Sequence, residues 1–139
     1  MTRTLSGRCL CGAVRFSVSG PVTQPVACHC RECQRQSGGV WVSVRAKREH
    51  VQIVRDRLAW VSVSPKGRRG FCRDCGGYLF WEEVDGSEID LAFGALDDTT
   101  GLELSAHIFT AESRLPVVDG VPRFEGDEPQ PDADRQAGE

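Results

Sequence analysis

Hydrophobic and polar residues alternate over short stretches of this chain, and the alternation predicts strands. In residues 13–19, Val14, Phe16 and Val18 fall on one face and Arg15, Ser17 and Ser19 on the other, the pattern of a half-buried strand. Residues 40–45 repeat it, with Val40, Val42 and Val44 together. Residues 51–55, 59–64, 78–82, 88–93 and 106–109 are further candidates. Each is short, rich in β-branched or aromatic residues, and set off by Gly, Pro, Asp or Ser. Helix is suggested in only two places: the polar segment after His29, and residues 96–100, where Asp97 and Asp98 would cap a single turn. A mainly β domain is expected.

The periodicity stops near the C-terminus. After Phe124 the chain reads EGDEPQPDADRQAGE, with no apolar residue larger than Ala. Such a segment cannot bury enough surface to offset its ordering entropy. Residues 1–125 are therefore expected to form the domain and 126–139 an acidic, disordered tail. The 139 residues, 40% hydrophobic and 27% charged, suit one ordinary domain. No apolar run approaches the ~20 residues of a membrane helix, and MTRTLSGRCLCG lacks the apolar core of a secretory signal. No membrane partner and a cytoplasmic location are the expectations. Net charge is −3 but unevenly divided: residues 1–70 hold 13 Lys+Arg against 3 Asp+Glu, and residues 71–139 hold 4 against 17. Either the basic half contacts nucleic acid, or the two halves neutralise each other across one surface. The absence of long basic runs favours the second.

The cysteines change the picture most. Seven is an odd number, which argues against a fully paired disulfide framework. In a reducing compartment clustered cysteines point to metal ligands or reactive thiols. All seven fall in three motifs: Cys9-x-Cys11 in GRCLCGAVRF, Cys28-x-Cys30-x-x-Cys33 in CHCRECQRQSGG, and Cys72-x-x-Cys75 in FCRDCGG. A C-x-x-C turn followed by glycine lets two thiolates converge on one zinc ion. A redox dithiol at Cys72 and Cys75 would leave the other five unexplained. Spacing leaves two partitions open. Cys30/Cys33 with Cys72/Cys75 make one four-thiolate site and leave Cys9, Cys11 and Cys28 unassigned. Cys9/Cys11 with Cys72/Cys75 make a closed site and leave Cys28, Cys30 and Cys33 as a trio with an open coordination position.

The three motifs together, G-x-C-x-C-G, C-H-C-x-x-C before S-G, and F-C-x-x-C-G, resemble those of the glutathione-dependent formaldehyde-activating enzyme family, which also includes centromere protein V-like domains. The resemblance extends to AHIF at 106–109 and DGVPRF at 119–124. It implies a single-domain β-tent fold of short antiparallel sheets and two zinc ions per chain. A structural zinc would sit on Cys9, Cys11, Cys72 and Cys75, and a catalytic zinc on Cys28, Cys30 and Cys33. It also implies carbon–sulfur lyase chemistry that joins a small thiol such as glutathione to an aldehyde such as formaldehyde. The late segment departs from the family: where many relatives carry a tryptophan, this chain has Arg114-Leu115-Pro116. That departure bears on substrate more than on metal.

Other residues near the motifs have two readings each. His29 and His107 are proton relays or packed, hydrogen-bonded histidines, and His50 is expected on the surface. Arg31, Arg35 and Arg73 recognise ligand carboxylates or compensate the thiolates. Trp41, Trp60 and Trp81 pack in the sheet or stack on a ligand. Ser37, Gly38 and Gly39 form a turn that admits a substrate or a simple loop into the next strand. The alternative to an enzyme is a non-catalytic zinc module that senses metal or oxidants, or contacts protein or nucleic acid.

Overall fold

The computed structural model describes residues 3–117, 119–129 and 136–137. In chain order its elements are β1 (Leu5–Arg8), β2 (Arg15–Val18), β3 (Val22–Thr23), β4 (Val26–Cys28), α1 (Arg31–Ser37), β5 (Trp41–Lys47), β6 (Val51–Val54), β7 (Leu58–Ser64), β8 (Gly67–Cys72), β9 (Tyr78–Glu83), β10 (Glu88–Ala92), β11 (Ala106–Ile108) and β12 (Gln136–Ala137). The protein is mainly β, as the alternation predicts. A seven-stranded sheet runs β11-β4-β5-β10-β9-β8-β7, and a smaller one runs β1-β2-β6. Within the large sheet β11 and β4 are parallel and the other neighbours antiparallel. A third pairing sets β12 against β3. The expected tail, 126–139, lies in large part outside the described residues.

The faces of the large sheet have different tasks. Val44, Leu91 and Phe80 are cross-strand partners on one face. They bury against Val14, Phe16 and Val18 of the small sheet, with Phe16 and Phe80 edge to face at 5.3 Å. The opposite face carries Cys28, Trp41 and Ala92, which form a second apolar cluster with Cys33 of α1. β5 is therefore covered on both sides: Trp41, Ser43, Val44 and Ala46 are all buried. The simple in–out alternation read from Val40, Val42 and Val44 describes half of that strand.

Several local expectations change. The segment after His29 is helical as α1, but residues 96–100 are not. A short 3₁₀ turn precedes them at Phe93–Ala95. Leu96 forms an isolated bridge to Gly7, and Asp98 accepts a hydrogen bond from the Thr100 amide at 2.9 Å. The aspartate closes a local turn instead of starting a helix. His50 is half-buried rather than on the surface. The tryptophans take packing roles: Trp41 stacks on Tyr78 at 4.2 Å, Trp60 lies against Phe80, and Trp81 lies beneath Arg45.

The charge asymmetry is resolved across strands. Arg45 pairs with Glu83, Glu88 and Asp90, Arg48 and Arg68 with Glu82, and Arg57 with Asp74. Glu82 is buried between its two guanidiniums, with Arg48 Nε at 2.7 Å and Arg68 Nε at 2.9 Å. Burial acts to raise its pKa, but hydrogen bonds from Arg48 and Arg68 hold it below the ordinary carboxylate value. A carboxyl with a depressed folded-state pKa stabilises the fold above its unfolded value, about 4.3, and that contribution is lost as pH falls through the folded value. Glu82→Gln is expected to cost about 2 kcal/mol at pH 7, less than for a fully dry pair because Arg68 is partly exposed. It should also lessen the loss of stability on acidification below about pH 4.3. Urea unfolding at pH 7 and pH 3 checks both.

Candidate metal centres

Two cysteine groups are assembled, and they follow the partition that uses all seven. The sulfurs of Cys9, Cys11, Cys72 and Cys75 lie within 4.8 Å of one another, as do those of Cys28, Cys30 and Cys33. Cys72 and Cys75 belong to the turn leaving β8, and Cys9 and Cys11 to the β1–β2 hairpin. The four-cysteine group thus clamps the small sheet to one end of the large one.

Both clamps are knuckles of similar construction. The Gly76 amide donates to the Cys72 carbonyl at 2.8 Å and the Asp74 amide to Cys72 Sγ at 3.3 Å. In the hairpin the Gly12 amide donates to the Cys9 carbonyl at 3.1 Å and the Val14 amide to Cys9 Sγ at 3.3 Å. Gly76 and Gly12 have φ of 75° and 83°, which turns the chain back and aims these amides at sulfur.

The donor set fits a tetrahedral thiophilic cation. Cys9 Sγ to Cys11 Sγ and Cys11 Sγ to Cys72 Sγ are each 3.7 Å, and a tetrahedron with Zn–S of ~2.3 Å requires edges of about 3.8 Å. Ionisation agrees. Burial raises the Cys9 thiol, but the Val14 amide and the neighbouring thiols draw it down to about 6. Cys11, helped by the Ala13 amide but opposed by burial and the other thiols, is pushed up to about 12. Sulfurs this close cannot all ionise alone, and a divalent cation removes the conflict.

The three-cysteine group has the same conflict on the other face of the sheet. Cys28 is buried at the end of β4, and hydrogen bonds with Cys30 and Cys33, with burial, push its thiol far up. Hydrogen bonds with Cys28 and then Cys33 draw Cys30 down to about 2. Cys30 also caps α1, its sulfur accepting the Cys33 amide at 3.3 Å. No fourth ligating side chain joins this group among the described residues.

Its surroundings include residues the motifs did not single out. Arg69 of β8 is buried and sends Nη1 toward Cys33 Sγ at 3.8 Å, Nη1 to Tyr78 Oη at 3.0 Å and Nη2 to Glu32 at 2.8 Å. It is the cation beside the trio, whereas Arg73 lies at the other group and bonds the Asp56 carbonyl at 3.4 Å. Only its position just before Phe71-Cys72 marks Arg69 in the sequence. His29 and His107, read separately above, form one chain. His107 Nε2 reaches Asp119 at 3.0 Å, His107 Nδ1 meets His29 Nε2 at 2.8 Å, and His29 Nδ1 meets Ser113 Oγ at 2.9 Å. The parallel pairing of β11 with β4 brings the two rings together. Asp119 lies in the DGVPRF segment, the one sequence signal that pointed to it.

Fold and site together place the protein among small β domains with two cysteine groups of unequal size, each able to hold a metal ion. The sequence profile of the family described as glutathione-dependent formaldehyde-activating enzyme matches residues 4–112, and the chain belongs to that family. A Halomonas elongata protein with the provisional name glutathione-dependent formaldehyde-activating enzyme is 32% identical over a 96-position alignment that covers 58% of this chain and 60% of that protein's length. A Rhodobacter sphaeroides protein of known crystal structure shares the fold, with a TM-score of 0.58 at 20% identity over 86% of this chain and 98% of the other. Among the described residues no helix is long and apolar enough to cross a membrane.

Proposed function

We propose that the protein joins a small thiol to an aldehyde, and releases it again, at a zinc held by Cys28, Cys30 and Cys33, while a second zinc on Cys9, Cys11, Cys72 and Cys75 holds the fold. The observation that carries this reading is the inequality of the two groups: four convergent sulfurs at one, three at the other. Four thiolates close a tetrahedron, and three leave room for a substrate. Membership of the family supports glutathione as the thiol and formaldehyde as the aldehyde. A zinc bound there would favour the thiolate form of a substrate thiol and polarise a carbonyl.

The reaction forms one C–S bond as the thiol sulfur adds to the carbonyl carbon. The proton leaving sulfur is returned to the carbonyl oxygen, so nothing else is consumed. The protein's part is to move that proton. An ionised Asp119 can only accept, so His107 carries its hydrogen on Nε2 and its Nδ1 accepts from His29 Nε2. His29 Nδ1 then faces the Ser113 hydroxyl, whose one hydrogen it shares with the Leu115 carbonyl at 2.7 Å. Burial, and then the neighbouring His107, lower the His29 pKa, which keeps that ring neutral and able to take a proton. Arg69, shared between Glu32 and Cys33 Sγ, places one positive charge beside the three sulfurs.

The test is exchange between free glutathione and its formaldehyde adduct, followed by NMR exchange spectroscopy with the zinc-loaded protein. Saturable acceleration is expected, and rates equal to the buffer rate would overturn the catalytic reading. Asp119→Asn should slow exchange by at least about tenfold, below the roughly 10²–10⁴-fold of a proton-transfer group itself because Asp119 acts through His107, with metal content unchanged.

A further inference from the structure

We propose that the cavity on the outer side of α1 receives the carboxylate end of a small acidic thiol, with Arg31, Arg35 and Arg114 as the residues that recognise it. The inference rests on the reading of the three-cysteine group as a thiol site. The cavity holds about 320 Å³, and its walls include His29, Gln34, Ser113 and the three arginines. Gly38 and Gly39 form an open floor, with no atom within 4 Å of where a Cβ would stand on either.

Five arginines that brace the large sheet, Arg45, Arg48, Arg57, Arg68 and Arg69, have acid partners, which the arginines of this cavity lack; Arg55, away from the cavity, is likewise unpaired among the described residues. Around the cavity the pairing fails. Arg35 and Arg114 have no hydrogen bond or ion pair among the described residues, and the Arg31 guanidinium is held by the neutral side-chain oxygen of Gln34. Of the acids nearby, Glu112 accepts the backbone amide of Arg31 and offsets part of that residue's charge, and Glu32 turns to Arg69. Arg31 and Arg35 stand one turn apart on the same helix, a spacing at which like charges repel. Arg114 adds a third cation from a separate segment of the chain. Three guanidiniums facing one concavity with no carboxylate among its walls are arranged for an anion supplied from outside. The acidic thiol of the proposed reaction carries two separated carboxylates, and cations from two segments of the chain offer each a partner.

The position relative to the sulfurs completes the argument. α1 supplies both Cys33 and two of the arginines, and His29, between Cys28 and Cys30, lines the cavity. None of the seven cysteines lines the cavity, so a ligand seated there by its carboxylates adjoins the three-cysteine group only through His29 and α1, and its sulfur must extend beyond the cavity to reach the group. Arg114, which lines the cavity from the late segment, becomes a specificity determinant of this chain.

The test is calorimetric titration of the zinc-loaded full chain with S-methylglutathione, whose capped sulfur makes binding independent of thiolate formation. It should bind at least tenfold more tightly than its diethyl ester. The double variant Arg35→Gln/Arg114→Gln should lose at least tenfold, with wild-type zinc content and melting temperature, while Arg73→Gln binds as wild type. Equal affinity for acid and ester, or an unchanged double variant, overturns the proposal. Displacement by equimolar inorganic phosphate overturns the carboxylate assignment in favour of a phosphate-bearing ligand. Carboxylate-selective binding without glutathione–formaldehyde exchange would support the cavity and defeat the catalytic reading. Exchange with unchanged affinity and KM in the double variant would do the reverse.

Discussion

Replacing Cys72 by alanine should leave the protein without a cooperative thermal transition at physiological temperature. Cys72 is fully buried in the main core and is one of the four sulfurs that tie the β1–β2 hairpin to the end of β8. Zinc held by four thiolates contributes roughly 10–16 kcal/mol in small metal-dependent folds, whereas a whole domain is stable by only about 5–15 kcal/mol. Loss of the ion therefore outweighs the margin. Cys11→Ala separates this from packing, because Cys11 is exposed and fills no core space. If the metal is what counts, Cys11→Ala should unfold the domain nearly as far as Cys72→Ala, and a chelator should do the same to wild type. Circular dichroism melts of the three samples decide. A Cys11→Ala protein that melts within a few degrees of wild type would show that the four-cysteine group does not sustain the fold.

Cys28→Ser should have the opposite profile: intact fold, one zinc where wild type has two, and exchange activity down about a thousandfold, equivalent to about 4 kcal/mol of transition-state stabilisation. Serine keeps the shape of the side chain in a cluster that includes Trp41 and Ala92, so packing changes little. Only two sulfurs remain at the site, too few to retain the ion against solvent. Zinc per chain by mass spectrometry of metals, with the NMR exchange rate, measures both. Two zincs retained, or exchange at wild-type rate, would remove Cys28 from the catalytic assignment.

How far the fold could be read varied with what each strand packs against. β2 and β10 are legible because alternation there follows burial of one face. β8 was missed because GRRGFC has the composition of a loop. Gly67 and Gly70 belong in a strand only because large neighbours occupy the missing side chains' space. A Cβ on Gly67 would come within 2.7 Å of Trp81 Cζ2, and one on Gly70 within 2.9 Å of Trp60 Cζ3. β1 was missed for the same reason: at Gly7 a Cβ would lie 2.3 Å from Phe16 Cζ. In each case an aromatic from another strand supplies the apolar surface that the glycine lacks, and a local reading cannot see it.

The sequence by itself determined the mainly β class, the family, and the seven sulfur donors in their three local turns. Those features depend on contacts among residues a few positions apart, such as glycine after cysteine and alternation along a strand. Only the tertiary structure decided which turns share a site, that His29, His107 and Asp119 form one chain, that Arg69 rather than Arg73 attends the trio, and that Arg114 joins Arg31 and Arg35 around a cavity. Cys11 and Cys72 are 61 residues apart, and His29 and His107 are 78 apart. Strand order and the packing of the two sheets bring such pairs together, and spacing along the chain carries no record of either.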